Sequence, residues 1–351
     1  MRFKSKLSTE QSQLLFNIVT PVTKFQDNGS NNANHQWRGG SIFYLDREHF
    51  RISLRSEQDG VFCYIECMTE ILFVEYKIES AADNAIMLEL DLCHFREALQ
   101  SVLSSSRTGS TARMSGLQPL YNSSVVAQQS QDDASSIPSV PQTRQSNHMA
   151  PTVVMKLAKK DGLPCLCFDS YGVGMEVHNS IPIKVMRTSE IHHYLPPKMS
   201  VPDVQLELPP GQLIRTVVDR LRLISNHILI EGTMTPEAGQ MVLSVHGNGS
   251  FTQVHIPKLT PHFEDTKACT EDGTRPIEKA TCTLKVDSKL LQSCLSWQST
   301  LQSNQNLSVN SAIFCMVSQE MLVIHVLLQP RSLGFFTYYI PVLYLSPDHL
   351  N

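Results

Sequence analysis

Apolar and polar positions alternate over residues 2 to 7, then shift to helical spacing at Leu14, Leu15, Ile18 and Val19. The chain therefore opens as a strand and an amphipathic helix. Pro21 is expected to end that helix, because proline lacks the backbone donor and crowds the preceding turn. Ser41 to Leu45, Phe50 to Leu54 and Val61 to Met68 are short, rich in Ile, Phe, Tyr and Val, and separated by turn residues, which predicts an antiparallel meander continued by Ile71 to Ile78 and Ile86 to Leu90. Asp91 then caps a helix of three to four turns whose apolar face is Leu92, Phe95, Leu99, Val102 and Leu103.

Residues 106 to 150 are rich in Ser and Gln with no long apolar run, so they bury too little surface to offset ordering and are expected to form a disordered loop. Val153 to Leu157, Pro164 to Phe168 and Val173 to Val177 follow as strands. Ser180-Ile181-Pro182-Ile183-Lys184-Val185 comes next. A proline inside a β-branched run cannot donate to a ladder, so this segment is expected at a sheet edge.

Beyond it the order repeats. Val204 to Leu208 alternates as a strand, and Leu213, Ile214, Val217 and Val218 repeat the spacing of Leu14, Leu15, Ile18 and Val19. Strands follow at His227 to Ile230, Met241 to Val245 and Phe251 to Ile256. Thr260 to Ala280 reads as a loop. Cys282 to Asp287 leads into one helix through Leu290, Leu291, Cys294, Leu295 and Leu301, with Asp287 falling over Asp91. Ala312 to Val317, Met321 to Leu328 and Phe335 to Tyr344 close the chain. The pattern predicts an α+β duplication, with a first domain at 1–178, a connector at 179–201 and a second domain at 202–351.

Length and composition fit this division. At 351 residues with 41% hydrophobic content the chain can fill two cores. A net charge of -4 argues against nucleic-acid binding by bulk electrostatics, so any such contact must be local. Nine cysteines without a leader-like apolar start suggest reduced, buried thiols and a soluble protein of cytosol or nucleus, with no membrane association.

Candidate chemistry is sparse. The chain has no nucleophile elbow, phosphate loop or zinc helix, and the adjacent His192 and His193 lack metal-ligand spacing. No catalytic residue, cofactor or metal is expected. Cations do gather on polar helix faces: Arg215 and Arg222 are seven residues apart opposite the apolar face, Lys289 lies on the last helix, Arg96 flanks the second, and Lys24 follows the first.

Met1-Arg2-Phe3-Lys4, Leu88-Glu89-Leu90 with Ala98-Leu99, the Ser180 to Val185 segment, Pro202-Asp203-Val204 and Ser225-Asn226-His227-Ile228-Leu229-Ile230-Glu231 together resemble the Hus (hydroxyurea-sensitive) checkpoint family. That family supplies one of the three subunits of the nine-one-one checkpoint clamp and is similar to proliferating cell nuclear antigen. The resemblance implies a DNA sliding-clamp fold, two duplicated domains each with two helices packed on antiparallel sheets. It implies a nuclear, non-enzymatic subunit of a heterotrimeric ring that encloses double-stranded DNA. The implied partners are two other checkpoint clamp subunits, an ATP-driven clamp loader, and repair and checkpoint factors. Lys24, Arg96, Arg215, Arg222 and Lys289 would then face DNA. Ring edges are expected at Val173, Met175 and Val177 and at Phe251, Gln253 and His255, and partner docking at Ile181, Pro182, Ile183 and Val185. Two alternatives stand beside this: a homotrimeric replication clamp, and a soluble enzyme with a site between the halves.

Overall fold

The computed structural model describes residues 1–26, 40–111, 152–172, 175–247, 249–262, 279–302, 309–329 and 333–344. β1 (Arg2–Ser8) alternates between outward and buried residues and passes directly into α1 (Thr9–Val22). A capping box starts the helix: Gln11 N–H donates to Ser8 Oγ at 3.1 Å, and Ser8 N–H donates to Gln11 Oε1 at 3.0 Å. Pro21 does not end α1 as expected. It sits in the last turn and removes one intrahelical donor there, but Thr23 N–H still reaches the Val19 carbonyl, and the helix ends one residue after the proline, before a 3-10 turn at Thr23–Phe25.

β2 (Ser41–Leu45), β3 (His49–Arg55) and β4 (Phe62–Met68) form the meander. Ile71 to Ile78 does not continue it. A helical turn, α2 (Thr69–Leu72), buries Leu72, and β5 (Glu75–Glu79) leaves to pair with β1. The backbone bond from Val74 N–H to Lys6 O, 2.8 Å, fixes that departure. β6 (Ile86–Leu90) leads into α3 (Leu92–Thr111) through Asp91, whose Oδ1 accepts from Cys93 N–H at 2.7 Å and His94 N–H at 3.1 Å. At 20 residues α3 is longer than expected and takes in 106–111. Once nucleated, a helix adds one bond per residue, and Ser and Thr do not stop it. The rest of the Ser/Gln segment, 112–150, lies outside the described residues, as does the Asn-rich stretch from Asn28 to Asn34 whose composition predicts a loop.

β7 (Thr152–Lys160), β8 (Leu163–Gly172) and β9 (Met175–Pro182) complete a five-stranded sheet in the order β5-β1-β7-β8-β9. The chain then changes sheet. Ile183 N–H bonds Pro164 O at 3.0 Å, and β10 (Lys184–Met186) pairs with β6. A 3-10 turn at Thr188–His193 follows.

The second half comprises β11 (Val204–Glu207), α4 (Leu213–Leu221), β12 (His227–Met234), β13 (Gly239–Gly247), β14 (Ser250–Pro261) and β15 (Ala280–Asp287). Then come α5 (Ser288–Cys294), α6 (Trp297–Gln302), β16 (Val309–Val317), β17 (Met321–Leu328) and β18 (Gly334–Pro341). The single helix expected over 290–301 is two helices. A tight turn with Ser296 N–H on Ser293 O, 3.1 Å, breaks it and lets Leu295, Trp297 and Leu301 all reach the core. Asp287 caps α5 as Asp91 caps α3, its Oδ1 accepting from Lys289 N–H at 2.8 Å and Leu290 N–H at 3.0 Å.

A 13-stranded sheet runs β10-β6-β2-β3-β4-β18-β17-β16-β11-β14-β13-β12-β15. β4 and β18 pair from Gly334↔Cys67 to Tyr339↔Phe62, so the two halves share one ladder. Helices gather over the sheets: α1 packs on α3, α5 and α6, and α4 on α5. One continuous apolar core extends from Phe3 and Leu15 through Phe43, Phe95 and Leu291 to Tyr338.

Candidate functional site: helix face and open strand edges

The row of helices brings cations from both halves together. Lys24 is exposed in the turn after α1. Partial burial and the neighbouring Arg215 guanidinium lower its amine below the usual lysine range, and Asp219 opposes them. Arg215 is not the free outward cation that helical spacing suggests. Its guanidinium donates to Ser299 Oγ and, at 3.5 Å, to Ser296 O, and it faces Asp219 Oδ2 at 3.8 Å. Its backbone N–H donates to Gln298 Oε1 at 3.2 Å. Arg215 thus ties α4 to α6, because packing of α4 on the α5–α6 turn brings acceptors within its reach.

Arg96 is half-buried and donates to Thr23 Oγ1 at 3.3 Å. Arg222, at the C-cap of α4, is half-buried with its Nε shielded and unpaired. Lys289 is exposed in the first turn of α5. Lys24 and Lys289 are therefore the two exposed residues of the five, and the three arginines are half-buried.

Among the described residues the two sheets end at β5 and β9 and at β10 and β15, and β14 is free over part of its length; β9 and β14 carry the expected ring contacts. Among the described residues β9 has β8 on one side and no strand on the other. Val177 on it is half-buried, Val173 lies outside the described residues, and Met175 begins the strand opposite Gly172. Beside this edge Asp169, 6% exposed, receives Lys156 Nζ at 2.6 Å and His178 Nδ1 at 2.8 Å. Burial alone would raise the Asp169 carboxyl, but the His178 and Lys156 bonds hold it below the ordinary range. The same bond from Asp169 raises His178.

β14 pairs with β13 along its length and with β11 only at Thr260 and Pro261, so its outer edge before those residues is free. Phe251, Gln253 and His255 point outward on it and are exposed. On the opposite side Val254 and Ile256 face α4 across a cleft of about 490 Å³ that also meets Leu213 and Val217. Sequence reading missed this cleft. Leu213 looked like an ordinary core position, yet it stands at the start of α4 and remains 51% exposed.

The connector is anchored at both ends. Lys184 Nζ meets Glu89 Oε2 at 3.0 Å, and Asp203 receives Ser318 N–H at 2.9 Å. Ile181 and Ile183 belong to the core at 3% and 4% exposure and cannot serve as docking contacts. Alternation turns Ile181 and Ile183 inward and leaves Pro182 at the surface, and Val185 is exposed in β10, after the chain has changed sheet.

At the junction of the halves, Cys63, Cys294 and Tyr338 are all pushed well up by burial. Such groups stay protonated and are poor nucleophiles. Among the described residues no group of His, Cys, Asp and Glu could hold a metal, and no helix is long and apolar enough to cross a membrane.

A family model described as Hus1-like protein matches residues 1–344. Checkpoint protein hus1 of Schizosaccharomyces pombe is 24% identical over 285 residues, covering 77% of this chain and 79% of that protein. The Checkpoint protein hus1 homolog of Dictyostelium discoideum is 22% identical over 346 residues, covering 98% and 99%. The crystal structure of PCNA from Thermococcus kodakaraensis matches with a TM-score of 0.54 at 13% identity, covering 97% of this chain and all of that one, a likeness of fold.

Proposed function

The chain belongs to the Hus1-like family, and on that premise we propose that it is a DNA-damage checkpoint sliding-clamp subunit without enzymatic activity. It joins two other clamp subunits in a heterotrimeric ring around double-stranded DNA in the nucleus, is placed there by a clamp loader, and recruits checkpoint and repair factors. The observation that carries this reading is the match of the family model over residues 1–344 on a clamp-type fold.

Physical features support the parts. Open edges at β9 and β14 offer unpaired backbone donors and acceptors to neighbouring strands, the ordinary means of joining sheets between chains. Lys24 and Lys289 on the helix row face phosphates, with Arg96, Arg215 and Arg222 adding positive potential behind them. Such contacts position DNA without reading its sequence. At a net charge of -4 they are too few to hold DNA unaided, so retention comes from enclosure. Pro182 and Val185 mark the exposed start of the connector, where docking partners would meet the chain.

The test is assembly followed by release. Mixed with its two clamp relatives, the chain forms a one-to-one-to-one complex that a loader places on circular DNA and that is lost when the circle is cut. A chain that never enters such a complex defeats the proposal. A stable homotrimer of the chain alone favours a replication clamp instead.

A further inference from the structure

The two open edges are not chemically alike. In an antiparallel sheet, residues directly opposite one another project to the same face. Asn179 on β9 lies opposite Phe168, which is fully buried, so its side chain points to the helix-covered side. There the Asn179 Nδ2 is shielded from solvent and has no hydrogen-bond partner. A shielded amide without an acceptor is costly, and buried donors are normally paired. On β14 the cleft is walled by apolar side chains, Val254 and Ile256 on one side and Leu213 and Val217 on the other, although Glu207, His255, Lys258 and Thr260 also line it.

We propose that these edges are two different sockets and that the difference makes the chain choose foreign neighbours over itself; this rests on the reading of β9 and β14 as ring edges. The β14 edge takes an extended strand that places a large apolar side chain, of leucine to phenylalanine size, in the cleft beside Leu213. The β9 edge takes a strand that offers a hydrogen-bond acceptor toward which the Asn179 carboxamide turns out of its shielded position. A strand added to β14 projects alternate residues onto the helix-covered side. If a second copy offered its own β9, the described residues turned that way would be Val177 and Asn179 ahead of the buried Ile181. Val177 is too short to fill the cleft, and the carboxamide of Asn179 would take the place of an apolar side chain against Leu213, Val217, Val254 and Ile256. Self-pairing thus leaves both sockets unsatisfied.

The experiment is sedimentation equilibrium on the full chain. The wild-type protein is expected to be monomeric, and Asn179→Leu to tighten self-association at least tenfold. Val177→Phe, at a less buried position, should do the same and covers the case in which Asn179→Leu folds poorly. Adding Leu213→Asp to either variant should abolish the gain, since it spoils the cleft. If both variants fold and stay as monomeric as the wild type, the inference is overturned. The same Leu213→Asp change, in a mixture with the two clamp relatives, should release one neighbour only. Release without self-association of Asn179→Leu would overturn the socket inference and leave the ring edges standing. An unchanged three-subunit complex would remove the β14 edge, and a trimeric wild-type chain alone would remove both.

Discussion

Replacing Gly334 by Ala tests how strongly the two halves depend on their shared ladder. Gly334 starts β18 opposite Cys67 with φ of +140°, a conformation that side chains rarely adopt. An added Cβ would overlap the carbonyl oxygen of Glu66 and stand 2.8 Å from Cys67 Cα, both backbone atoms of β4. Backbone cannot swing aside as a lysine tip can, so β4 and β18 must part locally. That threatens the neighbouring bond from Met68 N–H to Leu333 O, 2.8 Å. Backbone strain of about 1–2 kcal/mol and a lost ladder bond of about 1 kcal/mol, with local repacking, bring the expected cost to about 4 kcal/mol. This is a large share of the ~5–15 kcal/mol that usually holds a domain folded. Gly162→Ala is the control, because Gly162 also has positive φ, +82°, but no atom within 4 Å of the new Cβ. It should cost only about 1 kcal/mol. Urea unfolding followed by far-ultraviolet circular dichroism would show the midpoint falling by ~1–2 M for Gly334→Ala and by far less for Gly162→Ala. Equal shifts would mean that the close approach to β4 is not what requires glycine at 334.

Three further outcomes are expected. Asp91→Ala and Asp287→Ala remove the same pair of cap bonds in the two halves, so each should lower stability by about 1 kcal/mol in denaturant titration, and a cost confined to one would break the equivalence of the halves. His178→Gln removes an imidazolium whose affinity for its proton is raised in the folded state, so the stability gap from wild type should be full below about pH 6.5 and close as pH rises through the raised value. It should also close in acid, as pH falls through the depressed value of Asp169; a gap that is the same at pH 5.5 and pH 9 would contradict the pairing. The Lys24→Glu and Lys289→Glu pair of changes should weaken DNA retention by the assembled ring and flatten its salt dependence without affecting assembly. The same change at Arg215 should also lower the unfolding midpoint, because Arg215 is bonded to Ser296 and Ser299.

The duplication was legible because it is written in local chemistry. Asp91 and Asp287 are capping residues before helical runs, and capping acts within a few residues, so sequence alone places both. Strand alternation likewise exposed β1 and β11. Where the reading failed, the cause lay in distant residues. Arg215 seemed free because its acceptors at Ser296 and Ser299 are more than 80 positions away. Ile71 to Ile78 seemed to extend the meander because nothing local reveals that β1 draws β5 into another sheet. Ile181 and Ile183 seemed surface-exposed because Pro182 marks an edge, yet an edge strand still buries alternate side chains. The cleft beside Leu213 forms only when α4 meets β14, and Asn179 gave no signal, since an unpaired donor is visible only in three dimensions.

The ladder between β4 and β18 has a mechanical meaning. Six registered residue pairs, from Gly334↔Cys67 to Tyr339↔Phe62, join the halves edge to edge. A force pulling the halves along these strands must shear the pairs together, whereas the proposed seams to neighbouring chains would rest on the β9 and β14 edges. In the ring proposed above, the two halves would move as one unit and the compliance would lie at the seams between subunits. An assembly that opens for DNA would therefore part between subunits and leave each of them unbent.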